Sequence, residues 1–463
     1  MKKITKSWFL SLLLTIGIIV YFSVNLVIEE QEVFAPGDMT HGHHQIEMSC
    51  GTCHDAPSGN KPGPVLQNAC MTCHATELKV SDDSHPKSKF TDPRNASRVK
   101  ELDARLCMTC HTEHKLEITN PMGVTVPEDF CFKCHQEIAD DRPSHKGMEF
   151  ISCATSGCHN YHDNRALYED FLEKHMDEDN NKATAKVKSV SLAKEISILA
   201  QYPIDKYPFT TLAATDVDAP ITVEYDSKVT EDWSITSHAK AGVNCTACHE
   251  TKLQSGEVKW INKPGQDNCK SCHTSEVKGF LSGKHGMRLK EGLSAMTPGM
   301  ALLPMKKSSH SNELSCVSCH SSHTFDVKHA AVESCLNCHN DNHSNAYKKS
   351  PHFVAWHNEV NGMEKADTGV SCATCHMPRT ETEIGDKLVI LSEHNQNMNL
   401  RPNDKMLRSV CMDCHGLGFS IDALADKKLI ENNFKGLPTV HVESIDLVRN
   451  RLLKRKTPKE DSP

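Results

Sequence analysis

Twenty of the 22 cysteines in this chain stand in ten copies of the pattern Cys-x-x-Cys-His. The ten copies are Cys50/Cys53/His54, Cys70/Cys73/His74, Cys107/Cys110/His111, Cys131/Cys134/His135, Cys245/Cys248/His249, Cys269/Cys272/His273, Cys316/Cys319/His320, Cys335/Cys338/His339, Cys372/Cys375/His376 and Cys411/Cys414/His415. Two thiols with an imidazole directly behind them are the set that attaches haem c: the thiols add to the two vinyl groups, and the histidine becomes the proximal iron ligand. The pattern therefore predicts ten covalently bound haems.

An eleventh set is longer, because four residues instead of two separate its thiols: Cys153, Cys158 and His159. The chemistry needs two thiols and a nearby imidazole, and two extra residues can bulge outwards, so we expect an eleventh haem c here. Longer spacings are less diagnostic, and a non-haem role for this set stays open. Zinc sites and a disulfide scaffold are the other uses of so many cysteines. Neither needs a histidine directly behind every second cysteine.

The chain has 29 histidines, enough to give each predicted haem a second imidazole beyond its proximal one. Three follow a proximal histidine by three residues: His114, His162 and His323. Five precede a first cysteine by six to eight residues: His44, His145, His238, His310 and His329. We also expect distal ligands among His285, His352 and His394, with His85 and His343 as further candidates. For each one, a surface or core position is the alternative. Iron with histidine on both sides transfers electrons but has no open position for substrate.

Composition agrees with a cofactor-rich interior. Only 38% of the 463 residues are hydrophobic and 5% aromatic, which is lean for a chain of this length. Porphyrins would supply the missing apolar core. The formal net charge of −8 and the lack of a basic stripe argue against nucleic-acid binding.

The N-terminus begins with Lys2, Lys3 and Lys6, followed by an uncharged, mostly apolar run over residues 8–28. That run is long enough to cross a bilayer, and the lysines favour a cytoplasmic start. We expect a single-pass inner-membrane anchor with the haem domain in the periplasm. A signal peptide cleaved near Ala35 is the alternative, although Pro36 makes that cleavage site a poor one.

The spacing of the motifs predicts a mainly α fold with much loop, with two haem lobes behind the N-terminal helix. We divide the chain into an anchor (1–35), a five-haem lobe (36–175), a haem-free spacer (176–232), a six-haem lobe (233–420) and a helical tail (421–463). Helices are expected to begin near the attachment cysteines. In the spacer, 190–201 is helix-like and 220–230 is strand-like.

Residues 233–420 resemble the superfamily of octahaem hydroxylamine oxidoreductases and cytochrome c nitrite reductases. The resemblance rests on CATCHMPR at 372–379, on HN at 394–395 and on CMDCHG at 411–416. It implies closely stacked haem pairs, and it gives the haem of Cys269, Cys272 and His273 the catalytic place. Two features depart from the family: there is no Cys-x-x-Cys-Lys motif, and no tyrosine follows Tyr347. Residues 41–162 resemble the haem strings of cytochromes c3 and c7.

Two functions are expected from these features. The first is a membrane-anchored chain of mostly bis-histidine haems that transfers electrons in anaerobic, nitrogen or sulfur respiration, from a quinol-oxidising partner to other redox proteins. The second is a terminal reductase of nitrite, hydroxylamine or a sulfur oxyanion at one five-coordinate haem of the C-terminal lobe. A distal pocket for that reductase would draw on Lys284, His285, Arg288, Tyr347 or His357, each of which also has a structural explanation.

Overall fold

The fold is built from short helices joined by loops, as the spacing of the motifs predicts. The computed structural model describes residues 2–27, 31–54, 65–81, 85, 87–120, 123–142, 145–146, 150, 161–162, 169–190, 198, 203–400 and 405–456. The described residues form two compact units, one comprising Met1–Thr72 with Asp103–Pro127 and the other Cys73–Leu102 with Glu128–Pro463. The mainly α fold class is confirmed, whereas the five-part division of the chain stays a prediction.

The first helix, Lys2–Val27, is the longest of the described helices. Its segment Ser7–Asn25 is long and apolar enough to cross a membrane, and every residue of that segment except Asn25 is exposed. Trp8, for example, is 75% exposed. A helix of this kind near the N-terminus suits either an anchor or a signal sequence.

Elsewhere in the first unit, short helices carry the motifs. The α-helix Cys50–His54 holds the first one, and the 3₁₀-helices are Gln31–Phe34, His44–Ile46, Cys107–Thr109 and Leu116–Ile118. The Glu113 carboxylate joins two loops of the unit, since it accepts hydrogen bonds from the backbone N–H and the hydroxyl of Thr40, each at 3.0 Å. His43 Nδ1 lies 2.7 Å from the same carboxylate. The helix Val65–Ser81 contains the second motif.

The second unit contains most of the helices. Its α-helices are Lys87–Thr91, Ala96–Glu101, Phe132–His135, Ile138–Asp141, Glu169–His175, Ser227–Ser234, Ser237–Lys240, Cys245–His249, Gln266–Lys270, Thr274–Ser282, Met287–Lys290, Cys316–His320, Val327–Ala331, Glu333–Cys338, Asn342–Ala346, Pro351–Val360, Cys372–His376, Asn397–Leu400, Lys405–Ser409, Leu417–Ala425, Lys427–Glu431 and Ser444–Lys456. Its 3₁₀-helices are Pro93–Asn95, Pro298–Met300, Lys307–Ser309, Tyr347–Lys349 and Cys411–Asp413. Several begin on a first cysteine, as expected. Ser371 shows why, because its hydroxyl accepts from the Thr374 N–H and caps the helix Cys372–His376.

The strands among the described residues form two antiparallel hairpins. Glu250–Lys252 pairs with Val258–Trp260, and Arg379–Ile384 pairs with Lys387–Ser392. Gly385 in the second turn has a φ of +64°, which glycine adopts without strain.

The prediction of a strand over 220–230 is wrong. Residues 220–226 are loop and turn, and the helix Ser227–Ser234 follows. The Asp226 carboxylate accepts a hydrogen bond from the Lys228 N–H, so it starts a helix where the alternation of residues suggested a strand. The expected helix at 190–201 lies outside the described residues, except for its positions 190 and 198.

An apolar cluster connects the C-terminal tail to the rest of the second unit. Its buried members are Leu172, Leu407, Leu417, Ile421, Ile445 and Val448. They come from four helices, among them Glu169–His175 and the predicted tail helix, Ser444–Lys456. The tail is therefore packed against the rest of the second unit.

Candidate haem-binding sites

Seven of the motif histidines each lie opposite a second histidine, with ring centroids 5.9 to 6.3 Å apart. The pairs, motif histidine first, are His135 with His85, His249 with His323, His273 with His238, His320 with His394, His339 with His285, His376 with His343, and His415 with His352. An iron–nitrogen bond of about 2 Å, with about 1 Å more from nitrogen to ring centre on each side, separates two axial imidazoles by about 6 Å. The observed spacing fits one iron between each pair.

Five expected distal histidines occur in these pairs, namely His238, His285, His323, His352 and His394. The further candidates His85 and His343 occupy the other two places. The other expected distal ligands are His44, His114, His145, His162, His310 and His329; of these, His114, His310 and His329 have no partner ring of this kind among the described residues. Iron ligation stays a prediction for all of these histidines, paired or not, and for His54, His74 and His111 as proximal ligands. Cys153, Cys158 and His159 lie outside the described residues.

Backbone carbonyls orient several of the paired rings. His249 Nδ1 lies 2.8 Å from the carbonyl oxygen of Ile261, and His394 Nδ1 lies 2.9 Å from that of Ser392. A carbonyl oxygen can only accept, so Nδ1 carries the proton and Nε2 keeps the lone pair that binds a metal. The same contact occurs at His85 with Tyr161, at His343 with Ile430 and at His415 with Asn180.

Burial keeps four of the paired rings uncharged. It lowers the pKa of His285, His320, His352 and His376 to about 4, with smaller contributions from neighbouring histidines. A neutral imidazole is the form that binds iron, so these rings are ready as ligands near neutral pH.

Consecutive motifs of the second unit are neighbours in space. A hydrogen bond between the Cys269 and Cys316 thiols raises the pKa of Cys316, and one between Cys335 and Cys372 raises that of Cys372. Cys335 also contributes, after burial, to the raised pKa of Cys319. Groups attached at these cysteines would therefore follow one another in chain order.

The first unit shows the same orienting contacts. His111 Nδ1 lies 3.0 Å from the carbonyl oxygen of Gly123, and His114 Nδ1 lies 2.8 Å from that of Gly37. The side-chain amide of Gln67 accepts from the Cys107 N–H at 2.8 Å, which fixes the start of the third motif.

Thiols of three different motifs also lie close together in the first unit. A hydrogen bond with the Cys107 thiol, followed by burial, raises the pKa of Cys70, and the nearby Cys53 thiol adds a smaller electrostatic contribution. Cys53 is half-buried, whereas Cys50, the other thiol of its motif, is exposed. The first three motifs therefore cluster, as neighbouring haems would require.

The first motif differs from the seven described above, because its histidine has no second imidazole at about 6 Å among the described residues. Cys50, Cys53 and His54 share the short helix Cys50–His54, as a haem-attachment site requires. The expected bis-histidine geometry is not found there in the described part of the chain. Haem attachment at Cys50 and Cys53 consequently stays a prediction from the motif alone.

Polar side chains suggested for a reductase pocket make structural contacts. The Tyr347 hydroxyl donates to the Val370 carbonyl at 2.8 Å, and Tyr347 is only 3% exposed. Arg288 donates to the carbonyl of Ser294 at 3.0 Å. His285 belongs to a histidine pair, and His357 contacts Asn361, the residue that follows its own helix Pro351–Val360.

Some contributors to the sites could not be found in the sequence. The spacer supplies the Asn180 carbonyl to His415, and the tail supplies the Ile430 carbonyl to His343. Asn433 of the tail donates to the His343 carbonyl at 3.1 Å. The contacts of Asn180 and Ile430 are made by backbone carbonyls. Every residue type has such a carbonyl, so no sequence signal marks these two positions.

Residues 42–136 match the family model of cytochrome c3. The match lies within the segment that resembles haem strings of that type, and it supports a multihaem c-type cytochrome with covalently bound haem c. No curated protein matches the chain. No solved structure matches it either.

Proposed function

We propose that this chain is an electron-transfer cytochrome with eleven covalently bound haems c, most of them with histidine on both sides of the iron. The seven histidine pairs at 5.9 to 6.3 Å carry the proposal. Iron with two imidazole ligands changes oxidation state without binding substrate, which is the property an electron carrier needs.

The arrangement of the motifs supports transfer along the chain. In the second unit, Cys269 lies next to Cys316, and Cys335 lies next to Cys372. Haems attached at neighbouring cysteines have short edge-to-edge distances. Electrons would then pass from motif to motif in chain order.

The proposed location is the inner membrane, with the haem domain in the periplasm. The apolar helix segment Ser7–Asn25 supports a single N-terminal pass. Covalent haem attachment takes place outside the cytoplasm, which sets the direction of that pass. The proposed partners are the membrane, a quinol-oxidising protein as electron donor and other redox proteins as acceptors, in anaerobic, nitrogen or sulfur respiration.

The direct test measures haem content and electron transfer on the same preparation. The haem assay on purified protein should give eleven haems per chain, and C153A/C158A should lose one of them. Stepwise reduction should convert all haems reversibly from the ferric to the ferrous state. Ten haems in the wild type would remove the eleventh site, and a protein without covalent haem would overturn the proposal.

A terminal reductase remains the second candidate, and it rests on the resemblance of residues 233–420. The haem in the catalytic place by motif order has His273 as its proximal ligand, and the His238 ring lies opposite at 6.0 Å. With a histidine ring on each side, this site gives no support for an iron that is permanently five-coordinate. Electron paramagnetic resonance of the oxidised protein, with and without nitrite or hydroxylamine, separates the two candidates. A high-spin ferric signal that shifts on addition would favour the reductase.

A further inference from the structure

His238 differs from three of the other paired distal histidines in the support of its ring. Its Nδ1 is fully buried and has no hydrogen-bond partner among the described residues. By contrast, Nδ1 of His85, His343 and His394 each reaches a backbone carbonyl. A ligand imidazole that donates from its second nitrogen is more basic and better fixed in direction. His238 lacks both advantages.

The backbone of His238 is nevertheless held firmly. Thr236 caps its short helix Ser237–Lys240, and the His238 carbonyl accepts from the Val243 N–H at 2.9 Å. Ala239, the next residue, is completely buried. The ring itself packs edge-on to Phe325, with centroids 4.5 Å apart, a contact that sets no direction for a hydrogen bond. The helix is therefore held by contacts that do not involve the imidazole ring.

The opposite side of the same pair carries a carboxylate. Glu276 Oε2 lies 4.0 Å from His273 Nδ1, and this oxygen is buried with no hydrogen-bond partner among the described residues. A shift of about 1 Å would bring the two atoms to hydrogen-bonding distance. A carboxylate behind a proximal histidine makes it a stronger electron donor to iron.

The pair of His320 and His394 is the matched contrast. His394 donates to the Ser392 carbonyl, and Glu393 beside it accepts from the Asn395 N–H at 2.8 Å. Gly279 lies so close that a Cβ there would be 3.1 Å from the His394 Cβ. This distal ring is fixed by its own backbone and by packing.

We infer that the haem of Cys269, Cys272 and His273 has an exchangeable distal ligand: His238 leaves the reduced iron and a small neutral π-acceptor ligand takes its place. The inference rests on the proposed bis-histidine haems and adds one ligand-binding site to them. With Glu276 hydrogen-bonded to its Nδ1, His273 would favour back-donation to such a ligand, while the weakly supported His238 is the imidazole that dissociates.

The test adds carbon monoxide to fully reduced, full-length protein. The wild type should bind one carbon monoxide per chain, in a slow phase limited by loss of His238. H238A should also bind one, at least about tenfold faster. H394A should bind two, because it opens a second haem that is closed in the wild type.

Two results would overturn the inference. If the wild type takes up no carbon monoxide while H238A does, His238 does not dissociate. If the wild type binds one and H238A binds two, the exchangeable ligand belongs to another haem. Haem content and reversible reduction are measured before the gas is added, so failure of the proposed function is seen separately.

A second variant identifies the haem that binds carbon monoxide, without a change at His238. E276Q weakens donation through His273, so the infrared C–O stretch of the wild-type adduct should move to higher frequency. E257Q, an exposed change in the turn of the first hairpin, is the control and should leave it unchanged. An unchanged stretch in E276Q would place the carbon monoxide on another haem and overturn the inference.

Discussion

The imidazole rings of His249 and His323 lie 5.9 Å apart and only 10° from parallel, whereas those of His238 and His273 lie 6.0 Å apart at 84°. The pairs His85/His135 and His343/His376 are also close to perpendicular, at 80° and 84°. The angle between two axial ligand planes controls how the iron d orbitals split. The protein therefore offers at least two electronic environments for chemically identical ligand sets.

We expect two classes of low-spin ferric signal in the electron paramagnetic resonance spectrum. Near-parallel rings split the d orbitals and give a rhombic signal, while near-perpendicular rings leave them almost degenerate and give a strongly anisotropic one. H323A should remove intensity from the rhombic class alone, and H343A from the anisotropic class alone. Loss from the opposite class in either variant would contradict the ring geometry.

A second prediction separates a histidine found in a pair from one proposed by its spacing. His343 faces His376 at 6.1 Å, whereas His310 is outside the pairs found in the described residues. H343A should convert one low-spin haem to high-spin, and H343M should raise the potential of that haem, because methionine ligation favours the reduced state.

H310A is the matched comparison for that variant, because the structure, unlike the sequence pattern, gives His310 no partner ring among the described residues. Its spectrum and its potentials should equal those of the wild type, as measured by the same resonance and redox titration. A new high-spin haem in H310A would show that His310 is a ligand after all.

The proximal side of the sites could be predicted from sequence because attachment is local: two thiols and an imidazole lie within a few residues. The distal side could not be paired in the same way. Ile430, which orients His343, is 87 positions away from it, and Tyr161 is 76 positions from His85. The sequence offered both histidines as candidates, but only the fold decides which motif each one faces.

The secondary structure could also be predicted from the sequence only in part. Helices near the attachment cysteines could be predicted from the position of the motifs themselves. The strand expected over 220–230 failed because a local side-chain contact, Asp226 to the Lys228 N–H, outweighed residue alternation. The tail helix was found, but its burial was not, since Ile445 and Val448 pack on residues far away in sequence.

A third prediction concerns the close approach of a helix to His394. In G279A, the new Cβ would lie 2.9 Å from Glu393 Oε1 and 3.1 Å from the His394 backbone nitrogen. The segment 393–394 must move, at a cost of about 1–3 kcal/mol in the free energy of unfolding. Denaturant unfolding measures that loss, and carbon monoxide uptake shows whether His394 stays on its iron.

G265A is the control for this change, because a Cβ at Gly265 meets nothing within 4 Å. Its unfolding free energy should stay closer to that of the wild type. Equal stability of the two variants would mean that the segment at His394 yields without cost, contrary to the packing seen around it.

The last prediction is a pH dependence at the tail. His441 lies between two carboxylates, with Nδ1 3.0 Å from Asp422 and Nε2 2.7 Å from Asp446, and these contacts raise the pKa of His441 to about 9. Because the unfolded chain has the ordinary value near 6.5, the protonated ring stabilises the folded state fully below that pH. The contribution is lost as the pH rises through about 9. The difference in thermal unfolding temperature between wild type and H441Q should therefore be constant below pH 6, shrink between pH 6.5 and 9, and vanish above. A difference that persists unchanged at pH 10 would show that His441 acts through packing and not through its charge.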